Sequence, residues 1–109
     1  MPKYIVEREI LNAAALSAAE LRGIAKRTCE VIQQLGPRIQ WVMSYVTEDK
    51  LTCVYIAPNP DLIREHARRG GLPADRVLEV WNVIDPTTAE PNEPAPVSPA
   101  SRATDVGQI

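Results

Sequence analysis

The 109-residue sequence contains few of the residues from which metal sites and disulfides are usually built. It has two cysteines, Cys29 and Cys53, and a single histidine, His66. The cysteines form no CxxC motif and have no neighbouring histidine, so we expect two buried, reduced thiols. With one histidine, a transition-metal site needs carboxylates, water or a second subunit to complete its set of ligands.

The sequence also lacks the features of several functional classes. Its net charge of −2 comes from the C-terminal end, and the near-neutral remainder argues against binding to nucleic acid or a membrane surface. No stretch is long and apolar enough to span a membrane, and the N-terminus has no signal-peptide core, so we expect a cytoplasmic protein. A P-loop, a dinucleotide-binding fingerprint and a nucleophile elbow are all missing. These absences leave enzymatic activity open but favour a protein that is not an enzyme.

The composition changes after about residue 85. Residues 86–109 are rich in proline, alanine, serine and threonine, with almost no large apolar residue before Val106. Such a segment cannot bury enough surface to offset the entropy lost on ordering it. We therefore predict one folded domain over residues 1–85 and a flexible tail over 86–109, which is either inert or docks on a partner.

The first half of the folded part predicts a strand followed by a long helix. Residues 3–11 alternate in polarity and are rich in β-branched side chains, as in a strand. Ser17 and Glu20 have the spacing of a capping box, in which each residue satisfies a free N–H group at the start of a helix. An apolar stripe at helical spacing follows, and Gly36-Pro37 ends it.

The second half predicts a hairpin, a helix and a last strand. Residues 38–58 contain two apolar strands around a tight turn at Glu48-Asp49. Asn59 and Pro60 begin a helix that Gly70-Gly71 ends, and residues 75–84 form the last strand. The order β-α-β-β-α-β predicts an α+β, ferredoxin-like fold, with an antiparallel sheet and both helices on one face.

The turn at Glu48-Asp49 also predicts the register of the hairpin. A two-residue loop pairs Val46 with Leu51, Tyr45 with Thr52 and Met43 with Val54. One face then carries Trp41, Met43, Tyr45, Thr52, Val54 and Ile56, and the other carries Val42, Ser44, Val46, Cys53 and Tyr55. A three-residue loop would exchange these pairings.

Both faces of this hairpin are too apolar to stand in water. The helices cover one face, so we predict that the other packs against a second copy of the chain. The result is a homodimer, a dimeric α/β barrel with a cavity between its sheets. Residues predicted to line this dimer face or bind a small organic ligand there are Trp41, Met43, Tyr45, Val54 and Ile56.

Candidates for metal binding or acid–base chemistry are few. His66 is either a partly buried helix residue with a satisfied hydrogen bond, or a metal ligand or general base. Glu7 and Glu9 alternate on the first strand, and Glu79 lies on the last strand, which neighbours the first in this fold. If all three face the open side they form a cluster suited to a cation; otherwise they pair with basic neighbours or face water.

Four segments of the chain, in order, resemble a known family. They are PKYIVEREI, WVMSYVTEDK, CVYIAPNPDLIREHARRGGLPADRV and VIDP, and together they span residues 2–86. The family comprises small bacterial proteins of a domain of unknown function, typified by a nickel-responsive, nickel-binding protein. The resemblance implies a dimeric ferredoxin-like fold, binding of nickel or another divalent metal at the dimer, and a role in metal sequestration.

Two positions depart from the pattern of that family. Relatives often carry histidine where this chain has Met43, and glutamate where it has Ile56. A thioether and a hydrocarbon replace two donors that suit nickel. The remaining candidate ligands are His66, Glu7, Glu9 and Glu79.

Two alternatives stand beside metal binding: a cofactor-free enzyme or binder of a small apolar molecule in the dimer cavity, and an interaction module that uses the tail.

Overall fold

A computed structural model describes residues 1–91 as an α+β structure, with a four-stranded antiparallel sheet and two α-helices. The strands are β1 (Lys3–Glu9), β2 (Gln40–Thr47), β3 (Lys50–Ile56) and β4 (Arg76–Val80), and the helices are α1 (Ala18–Leu35) and α2 (Pro60–Gly70). The strand order is β2-β3-β1-β4. This arrangement is consistent with the predicted ferredoxin-like fold, and all six predicted elements are present.

Both helices begin and end where their terminal residues predict. The Glu20 N–H donates to the Ser17 side chain at 3.1 Å, and the Ser17 N–H donates to the Glu20 carboxylate at 2.8 Å, so the capping box is confirmed. Asn59 caps α2 by accepting from the Leu62 N–H. Gly71 ends that helix at φ +73°, a conformation in which a Cβ would be strained.

The core lies between the sheet and the helices. Alternate residues of the two central strands face it: Tyr4, Val6 and Arg8 from β1, and Leu51, Cys53 and Tyr55 from β3. From α2, Ile63, His66 and Ala67 are buried against them. We call this side of the sheet the helix face, and the opposite side the open face.

A bulge in β2 changes one predicted position. The pairs Val46–Leu51, Tyr45–Thr52 and Met43–Val54 are confirmed, but the register shifts between Trp41 and Met43. Trp41 therefore lies opposite Tyr55 on the helix face, where its indole N–H donates to Ser44 at 2.9 Å. The assignment of Trp41 to the open face is wrong, because the extra residue in the bulge reverses the alternation for everything before it.

The last strand is shorter than predicted. It ends at Val80, which pairs with Lys3, the first residue of β1. Beyond this point β4 has no partner, because β1 begins at Lys3. The apolar residues that follow, Trp81, Val83 and Ile84, are consequently exposed.

The predicted tail is described only over its first residues. A short 3₁₀ turn occupies Pro86–Ala89, capped by the Asp85 side chain. The rest of the predicted 86–109 tail lies outside the described residues, so the domain boundary stays a prediction. Within residues 1–91, neither α-helix has the length and apolar character needed to cross a bilayer.

Candidate functional site

The helix face has a charged side chain at its centre. Arg8 is 0% exposed. Its guanidinium donates from Nη1 to the Pro73 carbonyl at 2.6 Å and from Nη2 to the Tyr55 hydroxyl at 3.0 Å. In the described part of the chain no ion pair includes Arg8, and its Nε has no hydrogen-bond partner. Neutral oxygens, rather than a carboxylate, therefore hold this charge.

Tyr55 lies between Arg8 and the chain's only histidine. Burial raises the pKa of Tyr55 to about 12, although the adjacent Arg8 charge acts in the opposite direction. Its hydroxyl consequently keeps its proton at neutral pH while it accepts from Arg8. The Arg8 guanidinium carbon is 5.9 Å from the centre of the Tyr55 ring, so the ring also faces the charge.

His66 lies on α2 and is buried in the core, close to Thr28 of α1. It is buried, its ring meets that of Tyr55 edge-on with centroids 5.1 Å apart, and neither ring nitrogen has a hydrogen-bond partner among residues 1–91. Burial lowers the pKa of His66, and Arg8 lowers it further, while the Thr28 backbone opposes them. His66 is therefore neutral at pH 7 and lies buried in the core.

The carboxylate next to His66 in sequence is already occupied. Glu65 accepts from Arg68 at 2.5 Å and from Arg69 at 2.7 Å on the solvent side of α2. These hydrogen bonds lower the pKa of Glu65 to about 2. Glu65 thus neutralises two neighbouring arginines and points away from the buried histidine.

The open face consists of cross-strand rows of different character. One row is apolar and crosses all four strands: Met43, Val54, Ile5 and Leu78. Beside it runs a polar row: Tyr45, Thr52, Glu7 and Arg76. Met43 is 44% exposed and Tyr45 is 57% exposed, so in the single chain large side chains of both rows meet water.

Glu7 and Glu9 share the open face and the same cation. The Lys50 ammonium lies 3.6 Å from a carboxylate oxygen of each, and Arg76 lies 3.8 Å from Glu7. Glu7 is half-buried by these neighbours, whereas Glu9 is exposed. The two carboxylates are therefore paired with basic neighbours, the second of the two arrangements considered for them.

The four predicted metal ligands do not come together in one chain. Glu79 pairs with Tyr4, which places it on the opposite face from Glu7 and Glu9. His66 is also behind the sheet, within the core. Among residues 1–91, no group of three His, Cys, Asp or Glu side chains could hold a metal ion. The described residues of one chain therefore do not fit a nickel site, and ligation by Glu7 or Glu9 stays a prediction.

Most of the residues predicted to line the dimer face lie together on the open face. Met43, Tyr45, Val54 and Ile56 all lie on the open face, while Trp41 does not. The two positions that depart from the family pattern, Met43 and Ile56, are thus on the same side of the sheet. Their role in binding a second copy or a ligand stays a prediction.

Sequence reasoning missed Arg8 as a candidate residue. Alternation along β1 places position 8 on the same face as Tyr4 and Val6, so its burial could have been read from the strand pattern. The identity of its partners could not, because Pro73 and Tyr55 are distant in sequence.

One family matches most of this chain. The family described as nickel responsive protein SCO4226-like matches residues 4–80. The chain belongs to this SCO4226-like family. No curated protein is significantly similar to it.

A solved structure of the same type supports the fold. The crystal structure of SCO4226 from Streptomyces coelicolor A3(2) superposes with a TM-score of 0.66, covering 75% of this chain and 99% of that one. The two sequences are 12% identical, so the likeness shows the fold alone. The family description connects the chain with nickel, and the location of any metal is a separate question.

The buried histidine predicts a pH dependence of stability. The pKa of His66 lies below 6.5 when folded, so between the folded and the unfolded values the unfolded chain binds more protons. The free energy of unfolding should therefore fall as the pH decreases from 7 to about 5.5. Urea denaturation across this range measures it. His66→Phe should flatten the curve, and an equally steep decline in that variant would contradict the assignment, since no other histidine exists.

Proposed function

We propose that this protein works as a homodimer in which the open faces of two sheets pack together, and that this dimer is the unit that binds ligand. The observation that carries the proposal is the apolar row Met43–Val54–Ile5–Leu78. It runs across the whole sheet with no helix above it. A continuous apolar strip on a small sheet marks an interaction surface, because in water it invites aggregation.

The segment after β4 is a second exposed apolar region of the chain. Trp81 is 82% exposed, and Val83 and Ile84 are also exposed, so three large apolar residues leave the sheet in succession. Exposed tryptophan of this kind is typical of interfaces, where it supplies much of the binding energy. A second copy gives both the sheet and this segment an apolar partner.

The charges of the open face suit this assembly. Glu7 is already paired with Lys50 and Arg76 within the same chain. Two copies therefore meet without bringing unpaired carboxylates together, which would otherwise oppose association. The polar row can consequently line the interface beside the apolar one.

We propose that nickel binds to the dimer and not to a single chain. The family description names a nickel response, yet one chain offers no suitable group of donors among its described residues. The interface brings a second Glu7 and a second Glu9 to the same face as the first pair. We therefore propose that a divalent metal binds between two copies, where it would displace Lys50 and Arg76 from the carboxylates that they pair with in the single chain.

A small apolar organic molecule between the sheets is the second candidate. Met43 and Ile56 share the open face, and methionine adapts its shape to irregular apolar ligands. This observation favours an organic ligand over a metal at those two positions. An interaction role for the tail falls largely on residues outside the described part, and no observation favours it.

The dimer is tested by placing a charge in the apolar row. Met43→Glu should convert the protein from a dimer to a monomer, because the carboxylate would be buried without a partner. Sedimentation equilibrium over a range of concentrations measures the mass. Gln33→Glu, which adds the same charge on an exposed position of α1, should leave the dimer intact.

Two results would contradict the proposed dimer. One is a wild-type protein that sediments as a single chain at all concentrations. The other is a folded Met43→Glu variant that remains fully dimeric.

The metal part is tested by calorimetric titration of the full-length dimer with nickel. We expect one nickel per two chains. Glu7→Gln should abolish binding because it removes a carboxylate from each copy, and Met43→Glu should abolish it because the monomer lacks the ligands of the second copy. His66→Gln should bind as wild type, since His66 is buried on the other side of the sheet. A site with one nickel per chain that survives in the monomer, or no heat at all, would rule the metal part out while leaving the dimer in place.

A further inference from the structure

The helix face contains a cavity that the proposed dimer does not use. It has a volume of about 170 Å³ and lies between α1 and the strands β2 and β3. Leu21, Ile24 and Ala25 of α1 line one side, and Trp41 and Leu51 line the sheet side. Val46 also lines it and is 40% exposed, so the cavity reaches solvent beside edge strand β2.

The cavity explains an irregularity in the packing of α1. The apolar stripe of this helix predicts burial along its whole length, but only Thr28 and Val31 are fully buried. Leu21, Ile24 and Ala25 are half-buried because they face the cavity rather than the sheet. A space of this kind persists only when something in the structure resists its collapse.

Among residues 1–91, Arg8 is the one charged residue in the lining. It is fully buried, has no carboxylate partner among residues 1–91, and leaves its Nε without a hydrogen bond. Burial of an unpaired charge is costly, and proteins normally compensate for it with a counter-ion. A guanidinium with an unpaired Nε–H, beside an apolar space, is matched to a carboxylate.

The remaining lining limits the body of the ligand. Apart from Arg8 it consists of apolar side chains and of neutral polar groups, namely Thr28, Ser44, Cys53 and Tyr55. One guanidinium balances a single negative charge, so a phosphate dianion would leave a charge uncompensated in an apolar space. A dry cavity of about 150 Å³ accommodates a benzene ring, so this one has room for an apolar group of similar size.

We propose that this cavity binds a small monocarboxylic acid, with its carboxylate against Arg8 and its apolar body between α1 and the sheet. The site is independent of the dimer, because it lies on the opposite side of the sheet from the open face. It therefore gives the chain a second ligand, chemically distinct from a metal ion.

The protein contains its own reporter for this site. Trp41 lines the cavity, and Trp81 is the only other tryptophan. In full-length Trp81→Phe, fluorescence therefore reports on Trp41 alone. Titration with hexanoate should shift its emission saturably, and 1-hexanol, which has the same chain without the charge, should bind at least about tenfold more weakly.

Arg8→Met in the same background should lower the affinity for hexanoate at least about tenfold and leave that for 1-hexanol nearly unchanged. Arg64→Met removes an exposed arginine of α2 and should change neither. The proposal is overturned if the alcohol binds as tightly as the acid, or if a folded Arg8→Met variant binds hexanoate like the parent. It is also overturned if hexanoate causes no saturable change up to about 10 mM, which is weaker than expected for a ligand of this size.

A second variant keeps the test decisive if Arg8→Met does not fold. Ala25→Leu adds carbon atoms within the cavity and leaves Arg8 intact. It should abolish the response of Trp41 to hexanoate while circular dichroism stays that of the parent. A folded Ala25→Leu variant that binds hexanoate normally would place the ligand elsewhere and refute the proposal.

Discussion

The buried guanidinium of Arg8 is the constraint around which the helix face is organised. It joins three parts of the chain, because it lies on β1 and donates to Tyr55 on β3 and to the Pro73 carbonyl in the connection between α2 and β4. Tyr55 in turn meets His66 of α2. Because only neutral oxygens contact this charge, it lacks a counter-ion among the described residues. The cavity beside it is the space that a compensating anion would fill.

The sheet separates two kinds of chemistry. Its helix face holds Arg8, Tyr55 and a neutral His66 in a water-poor core, whereas its open face holds Glu7, Glu9 and the apolar row. A metal site built from the histidine and those carboxylates would have to pass through the sheet. For this reason we propose that a metal binds between two copies rather than within one chain.

Much of this arrangement could be predicted from the sequence, where local chemistry decides the outcome. The Ser17–Glu20 capping box, the stop at Gly71 and the two-residue turn at Glu48-Asp49 each act within a few residues, and the structure contains all three. Trp41 could not be placed, because a bulge is one extra residue that alternation cannot reveal.

The other features that could not be predicted depend on contacts between residues far apart in the sequence. The end of β4 at Val80 depends on where β1 begins, and the partners of Arg8 come from positions far along the chain. The face of Glu79 follows from the pairing of β4 with β1, which fixes it opposite Tyr4. A pattern read along one strand contains none of this information.

The two methionines report most directly on whether a partner covers the open face. Met1 is 68% exposed and Met43 is 44% exposed in the single chain, so both ε-methyl groups should respond to a soluble paramagnetic agent unless a partner covers one. With ¹³C-methyl methionine labelling of the full-length protein, we predict strong relaxation of Met1 and protection of Met43 at concentrations where the dimer forms. Equal relaxation of both methyl groups at every concentration would contradict a dimer that buries the open face.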